Sequence, residues 1–278
     1  MDIRKIETVG LVGLGRMGGP MVRHIGARGF GVVGYDVDPE RMDAARKGGA
    51  EFVRTNAALA RRCDMAIVVV GFDSEVEEAI LGDDGLLAGA RPGTVIAVGS
   101  TVAPGTMRRL AARLASHPVH LLDCPLARGE QAAVTGTMLT MVGGDRAVFE
   151  ACRPVMESYA DAIFHLGPLG AGQVGKMVNN LILWACISAN YEGFRLGEAL
   201  GVDPAALREA LIDSSAQNWA MESRDPADRM PWAEKDMMLV LKEADSLRLS
   251  LPLCGVVKEV VKAHKIDLGL PMPKMPGE

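Results

Sequence analysis

The sequence predicts an α/β fold with a mainly parallel sheet over residues 1–167, followed by an all-α C-terminal domain over residues 168–278. Three observations predict it. Short apolar runs alternate with amphipathic stretches through the first half of the chain, the strand signal stops after about Gly167, and from Gly170 onward the pattern is helical. Strands that recur after intervening helices need right-handed crossovers, and such strands run parallel.

Taken in order, the strands are expected at Val9 to Val12, Gly31 to Asp36, Met65 to Val70, Thr94 to Val98, Val119 to Cys124, Leu139 to Val142 and Ala162 to Leu166. Each is a short apolar run bounded by turn-forming residues. Between them, helices are expected at Met17 to Arg28, Pro39 to Lys47, Pro104 to Ala115 and Arg146 to Met156. In the second domain one long helix runs from Gly170 to Leu200 and stops at Gly201. Asp203 as N-cap, with Pro204 at the first helical position, restarts the pattern. Further helices follow near Trp232 to Leu247 and Pro252 to Lys265. The tail GLPMPKMPGE is too rich in proline for a helix, and is expected to be disordered or to pack on a neighbouring subunit. There is no internal repeat.

Composition narrows the class. Hydrophobic residues make up 49% of the 278 and charged residues 23%, close to the soluble globular mix of roughly 45–50% and ~25%. The N-terminal MDIRKIETVGLVG has no small-residue cleavage site and reads as a first strand, not a signal peptide. The most apolar later run, Leu181 to Ile187, is interrupted by Ser188, Asn190, Glu192 and Arg195, which falls short of the ~18 apolar residues a membrane helix needs. A soluble protein is expected. Net charge is −5 with Lys and Arg dispersed, so the chain has no electrostatic footprint for nucleic acid. The five cysteines are odd in number, spread out and without a CxxC pair, which favours reduced thiols in the cytoplasm. The five histidines are equally scattered, and no metal site is expected.

Gly13-Leu14-Gly15-Arg16-Met17-Gly18 follows the first strand and opens a helix. In that context a GxGxxG pattern is a dinucleotide fingerprint. Gly13 permits the tight turn, Gly15 lets the backbone approach a pyrophosphate, and Gly18 lets the helix pack closely on the strand. The second strand ends at Asp36, at the ~20-residue offset expected of an acid that accepts from a ribose hydroxyl. The first domain is therefore read as a Rossmann-type dinucleotide-binding domain. A carboxylate at this position repels a 2′-phosphate, so NAD is favoured over NADP, although Arg41 lies near enough in sequence to reach a phosphate. The alternative is a nucleotide-free turn in which Asp36 merely caps the next helix.

GAGQVGKMVNN, Gly170 to Asn180, opens the long apolar helix. Gln173, Lys176, Asn179 and Asn180 are spaced by three and four residues and share a face. The remaining sides are nearly all apolar, so the helix is expected to be buried, with this stripe facing a wet cleft or a set of partners and Gly170, Gly172 and Gly175 keeping the approach open. An amine beside hydrophobic surface loses its charge more readily than one in water, which suits Lys176 to proton transfer near neutral pH. The alternative is a lysine that snorkels from the helix start or neutralises a structural carboxylate.

With these motifs in place, the sequence resembles the β-hydroxyacid dehydrogenases, the family of 3-hydroxyisobutyrate dehydrogenase and tartronate semialdehyde reductase. GLGRMGGPM (13–21) is similar to the family's N-terminal signature, and Gly170 to Asn180 matches its catalytic signature GxGxxxKxxNN. Asp123 to Gly129 loosely matches its substrate-loop signature DAPVSGG, and Lys235-Asp236 is similar to a later Lys-Asp pair. The resemblance implies that Lys176 is the general acid/base, supported by Asn180. It implies a cofactor held by the Gly13–Gly18 turn, with Arg16 and Met17, and by Asp36, Val70, Gly71, Thr101 and Lys235. It implies a substrate side made by Ser100, Ala127, Arg128, Gly129, Asn179 and Trp219. The reaction implied is hydride transfer between NAD(P) and a small acidic hydroxy compound, in a homodimer or homotetramer.

The chain departs from the family where Ser-Gly-Gly is replaced by Ala127-Arg128-Gly129, losing a hydroxyl and gaining a guanidinium. An arginine binds oxyanions with several donors, so a sulfonated aldehyde is an alternative substrate. The other reading of Arg128 is an ion pair with an acid such as Glu130. Trp219 falls where family members close the substrate pocket, and equally suits a core aromatic of the helical domain. The methionines around Met237-Met238 read as core filler. The competing functions are an imine reductase, whose members usually lack the lysine, and a non-catalytic dinucleotide-binding protein.

Overall fold

The computed structural model describes residues 2–46, 48–224 and 230–271. The chain divides into two compact units, Met1–Lys176 and Met177–Glu278.

The first unit is built on a nine-stranded sheet of β1 (Thr8–Val12), β2 (Gly31–Tyr35), β3 (Glu51–Phe52), β4 (Met65–Val68), β5 (Thr94–Val98), β6 (Val119–Asp123), β7 (Leu126–Ala127), β8 (Met138–Gly143) and β9 (Ala160–Gly167). The order β3-β2-β1-β4-β5-β6 is parallel throughout. This is the doubly wound arrangement, in which ligands bind beyond the carboxyl ends of the strands. The remaining three strands break the pattern: β8 runs antiparallel to β6 and β7 and parallel to β9. The helices between them are α1 (Gly18–Ala27), α2 (Pro39–Arg46), α3 (Asn56–Ala60), α4 (Asp73–Leu81), α5 (Pro104–Leu114), α6 (Gly129–Thr135) and α7 (Arg146–Met156).

Adjacent residues of the central strands belong to different cores. Leu11, Ile67 and Val95 join Met21, Phe149 and Tyr159 in one cluster, whereas Val12, Val68 and Ile96 join Ile80, Met107 and Leu110 in the other. Successive side chains point to opposite faces of a sheet, so near-continuous apolar strands mark a sheet covered on both sides.

The second unit contains most of α8 (Ala171–Ala199), which starts in the first, with α9 (Pro204–Ile212), α10 (Trp219–Ser223), α11 (Ala233–Ser246) and α12 (Pro252–Asp267). Its core is small: Trp184, Met230, Ala233, Met237, Val240, Cys254, Val257 and Val261. The Trp184 indole N–H donates to Asp236 at 3.0 Å, and the buried Lys265 pairs with Glu234 at 2.6 Å. Asp203 caps α9 as expected, its carboxylate accepting from the Ala206 N–H.

All seven expected strands form, with ends shifted by up to two residues. β3, α3, α4, β7, α6 and α10 were not expected. The two-residue strands have no readable period, and the short helices start from local caps: Thr55 accepts from Ala58 N–H, and Asn218 from Met221 N–H. Contrary to expectation, α8 is not buried on nearly all sides, because Val174, Val178 and Ile182 are exposed along it. Lys47, the expected end of the second helix, and positions 272–278 of the Pro-rich tail lie outside the described residues.

Candidate active site

The site is built from the carboxyl ends of β1, β2, β4, β5 and β6. After β1 the chain turns at Gly13, whose φ is +88° and whose amide donates to the Tyr35 carbonyl at 2.9 Å. A Cβ at Gly13 would collide with the Val69 carbonyl, and one at Gly18 with the Gly13 carbonyl. At Gly15 the nearest atom to such a carbon is an Arg41 guanidinium nitrogen at 3.7 Å. Two of the glycines are therefore required by packing, and the third leaves open space over the backbone. α1 then begins at Gly18 with no side-chain cap and no acid in its first turn.

Asp36 is buried just past β2, accepting from the Leu14 N–H at 2.7 Å and the Asp38 N–H at 2.9 Å. Its carboxylate therefore pins the glycine turn. Arg41 pairs with Asp38 at 3.2 Å and lies 3.7 Å from Asp36, so its charge is shared between two carboxylates. Arg16 is exposed and pairs with Glu130 at 2.7 Å, while Met17 packs on the core.

Beyond β4, the Val70 N–H donates to the Ser100 hydroxyl at 2.8 Å, and Gly71 N–H to Glu75 at 2.7 Å. Ser100 is buried and its hydroxyl also donates to the Val68 carbonyl at 3.3 Å, so this side chain ties the ends of β4 and β5 together. Thr101 follows, half-buried.

At the end of β6, Asp123 is fully buried and accepts from Gly170 N–H at 2.6 Å and Gln173 N–H at 2.8 Å. The carboxylate caps the start of α8, where a negative charge meets the positive end of the helix dipole. Burial pushes its carboxyl above the usual range, against the opposing pull of the Gly170 and Gln173 amides. Gln173 is also fully buried: its side-chain N–H donates to the Ser100 carbonyl at 2.8 Å, and its side-chain oxygen accepts from Val102 N–H at 3.1 Å. Gln173 thus meets partners, not a wet cleft. Lys176, half-buried, stands one turn further along this clamped segment.

Gly172 and Gly175 act differently from expectation. A Cβ at Gly172 would collide with the Met141 carbonyl and reach Asp123 at 2.7 Å, and one at Gly175 would meet Leu166 at 2.5 Å and Met141 Sδ at 2.8 Å. They bring the helix into close contact with the sheet and do not hold an approach open.

Beyond β6, Ala127 is buried on β7, and Arg128 and Gly129 both have positive φ, +79° and +75°. The Arg128 guanidinium donates to Asp161 on β9 and, at 3.0 Å, to the Thr137 carbonyl. It is an ion pair, but with Asp161, not with Glu130, whose partner is Arg16.

Comparison with known proteins decides the family. Residues 8–167 match the NAD binding domain of 6-phosphogluconate dehydrogenase, and residues 170–270 match the NAD-binding family of NADP-dependent 3-hydroxyisobutyrate dehydrogenase. A 3-hydroxyisobutyrate dehydrogenase of Pseudomonas aeruginosa is 33% identical over 275 residues, 93% of this chain and 92% of that one. The chain belongs to the β-hydroxyacid dehydrogenase family. An NAD-dependent L-serine dehydrogenase of the same organism is 35% identical over 221 residues, 80% of this chain and 74% of that one. A 3-hydroxyisobutyrate dehydrogenase of Mycobacterium tuberculosis, solved with L-serine, superposes with a TM-score of 0.82 at 27% identity, covering 94% of each chain. β-Hydroxyacid dehydrogenases are NAD(P)-dependent oxidoreductases.

The glycine turn fits the dinucleotide. Space over Gly15, an α1 start without a side-chain cap, and a carboxylate at the end of β2 are what a pyrophosphate and an adjacent ribose require.

The helical unit carries four of the positions expected from the β-hydroxyacid dehydrogenase signatures. Asn180 is buried and its side-chain oxygen accepts from the Asn179 amide at 3.0 Å. Lys235 lies 5.5 Å from the Trp232 ring centre, and its neighbour Asp236 is taken by Trp184. Trp219 is 45% exposed, so it is not a core aromatic of this unit. Met237, by contrast, is core, with Cys254 against its sulfur.

Sequence reasoning gave Asp123 and Gln173 no individual role in the site. Asp123 opens the loosely matched loop signature and Gln173 lies inside the catalytic one, which was the available signal.

Proposed function

We propose that this β-hydroxyacid dehydrogenase moves a hydride between NAD and a small β-hydroxy acid or its semialdehyde, with Lys176 as general acid/base and Asn180 as its support. The observation that carries the reading is the clamped start of α8, where Asp123 and Gln173 fix the segment bearing Lys176 to the loops after β5 and β6. Proton transfer in a transition state depends on such fixed geometry.

The turn at Gly13, Gly15 and Gly18, with Arg16 and Met17, would hold the pyrophosphate, Asp36 the ribose hydroxyls, and Val70, Gly71, Thr101 and Lys235 the nicotinamide end. The nicotinamide supplies hydride acceptance and donation. Lys176 removes the hydroxyl proton when the alcohol is oxidised and returns it when the carbonyl is reduced. Ser100, Ala127, Arg128, Gly129, Asn179 and Trp219 form the substrate side. NAD is preferred to NADP, because Asp36 and Asp38 stand together and share the Arg41 guanidinium.

A carboxylate substrate is preferred to a sulfonate, because the Arg128 guanidinium on which the sulfonate reading rested is neutralised by Asp161. Exposed Leu196, Leu200, Leu253 and Val256 on the helical unit favour a homodimer or homotetramer. We place the enzyme in the cytoplasm; among the described residues no helix is long and apolar enough to cross a membrane.

The test is turnover of Lys176→Ala on a panel of β-hydroxy acids and hydroxy sulfonates, alongside NAD titration. The expected result is a loss of kcat of at least ~10²-fold with NAD affinity nearly unchanged. Full turnover in the variant would remove Lys176 from the mechanism, and preference of the native enzyme for a sulfonate would overturn the substrate class.

A further inference from the structure

We infer that Gln173 is a positioning residue that sets where Lys176 stands against the Ser100–Thr101 loop. The inference rests on the proposed role of Lys176.

Gln173 has no accessible surface and both ends of its amide are used. The N–H donates to the carbonyl of Ser100 at 2.8 Å and the oxygen accepts from the amide of Val102 at 3.1 Å. Those two backbone groups flank Thr101, so one planar amide holds the loop on both sides of that residue. The main chain of Gln173 is held as well, its N–H donating to Asp123 at 2.8 Å while the other carboxylate oxygen takes Gly170 N–H at 2.6 Å. Four hydrogen bonds therefore join the first turn of α8 to the ends of two strands.

Size and chemistry make this arrangement exacting. Asp123 is enclosed by glycines: a Cβ at Gly143 would reach one carboxylate oxygen at 2.5 Å, and a Cβ at Gly172 the other at 2.7 Å. A donor and an acceptor at a fixed separation match a carbonyl and an N–H two residues apart only in one helix register. A shift of the helix along its axis would break both bonds and strand a buried amide, which is costly because the desolvation penalty is then unrelieved. Lys176 lies three residues on, on the same side of the helix, and inherits its placement from this bridge. Carboxylate and amide thus divide the work: Asp123 anchors the helix end and Gln173 fixes its register on the loop.

The experiment compares Gln173→Met and Gln173→Glu with the native enzyme in kcat, KM, the pH profile of kcat, NAD affinity by calorimetry, and thermal melting. Methionine keeps the length and removes both hydrogen bonds. Gln173→Met is expected to lower kcat by at least ~10-fold, with NAD affinity within ~3-fold, and to shift the limb of the pH profile that belongs to Lys176. In Gln173→Glu the protonated acid both donates and accepts, whereas the carboxylate has nothing to donate to the Ser100 carbonyl. Its kcat relative to native should therefore rise as pH falls. Native kcat and an unmoved profile in Gln173→Met would overturn the inference, as would a loss of NAD affinity equal to the loss of kcat. Should Gln173→Met fail to fold, Gln173→Glu decides: the pH-dependent recovery supports the bridge, and a constant ratio to native overturns it. If Lys176→Ala retains full turnover, the proposed mechanism fails first. If Lys176→Ala is inactive and Gln173→Met is not, only the positioning role fails.

Discussion

Some glycines of the sheet unit and some of the helical unit have opposite surroundings. In the sheet unit, Gly13, Gly18 and Gly172 are packed so that a Cβ would strike a backbone carbonyl, and the sheet behind them is lined on both faces by side chains with no accessible surface. In the helical unit, Gly193 and Gly255 sit within α8 and α12 with nothing within 4 Å of where a Cβ would be. The core there is one small cluster, and α9 buries no residue at all. The contrast teaches that the sheet unit is held by close backbone approach, so precise geometry is available to the site, whereas α8 and α12 leave room for an added carbon at Gly193 and Gly255.

The sharpest way to break that comparison is Gly172→Ala. The new carbon has to displace the Met141 carbonyl and the Asp123 carboxylate, and the expected cost is ~3 kcal/mol, measurable by denaturant titration. A neutral result would mean that α8 can move away from the sheet freely.

A smaller effect is expected at Asp64, which accepts from Glu7 and Thr8 N–H groups at 3.1 and 3.0 Å and from Arg4 and Arg91 at 3.0 Å each. Burial raises its carboxyl, but these donors outweigh it and the net shift is downward. A depressed native pKa contributes stability that is present above the unfolded aspartate value of ~3.9 and lost as pH falls through the native one. Asp64→Asn should lower stability at neutral pH and flatten its fall below about pH 4 in thermal melts. Asp123, pushed upward by burial, has the opposite sign and persists in the variant. An unchanged acid limb would show that this network contributes nothing to folding.

The smallest effects carry the reverse sign. Gly193→Ala and Gly255→Ala are each expected to raise stability by ~0.5–1 kcal/mol, since alanine restricts the unfolded chain and meets no neighbour in the helix. Destabilisation by either, read as a lower Tm, would mean that these helix faces pack more tightly than the single chain displays.

The backbone frame of the candidate site was legible in the sequence because its motifs are backbone requirements written as residue types. Gly13, Gly15 and Gly18 could be read as a turn, and Asp36 as the acid at the next strand end. What the spacing left open was side-chain destination. Arg128 turned to Asp161, thirty-three residues away, and Gln173 to carbonyl and amide groups more than seventy residues away. No local pattern encodes a partner at that distance. The short β3 and β7 escaped for a related reason, since two residues show no alternation and owe their extended form to the strand beside them.

The sequence by itself determined the class of fold, the strand–turn–helix at the glycine turn, the long helix with its lysine, and the family. These follow from periodicity, from glycine's freedom at positive φ, and from ordered motifs, all of which are properties of short stretches of chain. Only the tertiary structure decided that Gly172 and Gly175 serve contact with the sheet, that Arg128 is already neutralised, and that Asp123 and Gln173 clamp the start of α8. Those outcomes depend on which distant groups the folded chain brings together, and the buried donors and acceptors of Asp123 and Gln173 take the partners that come within reach.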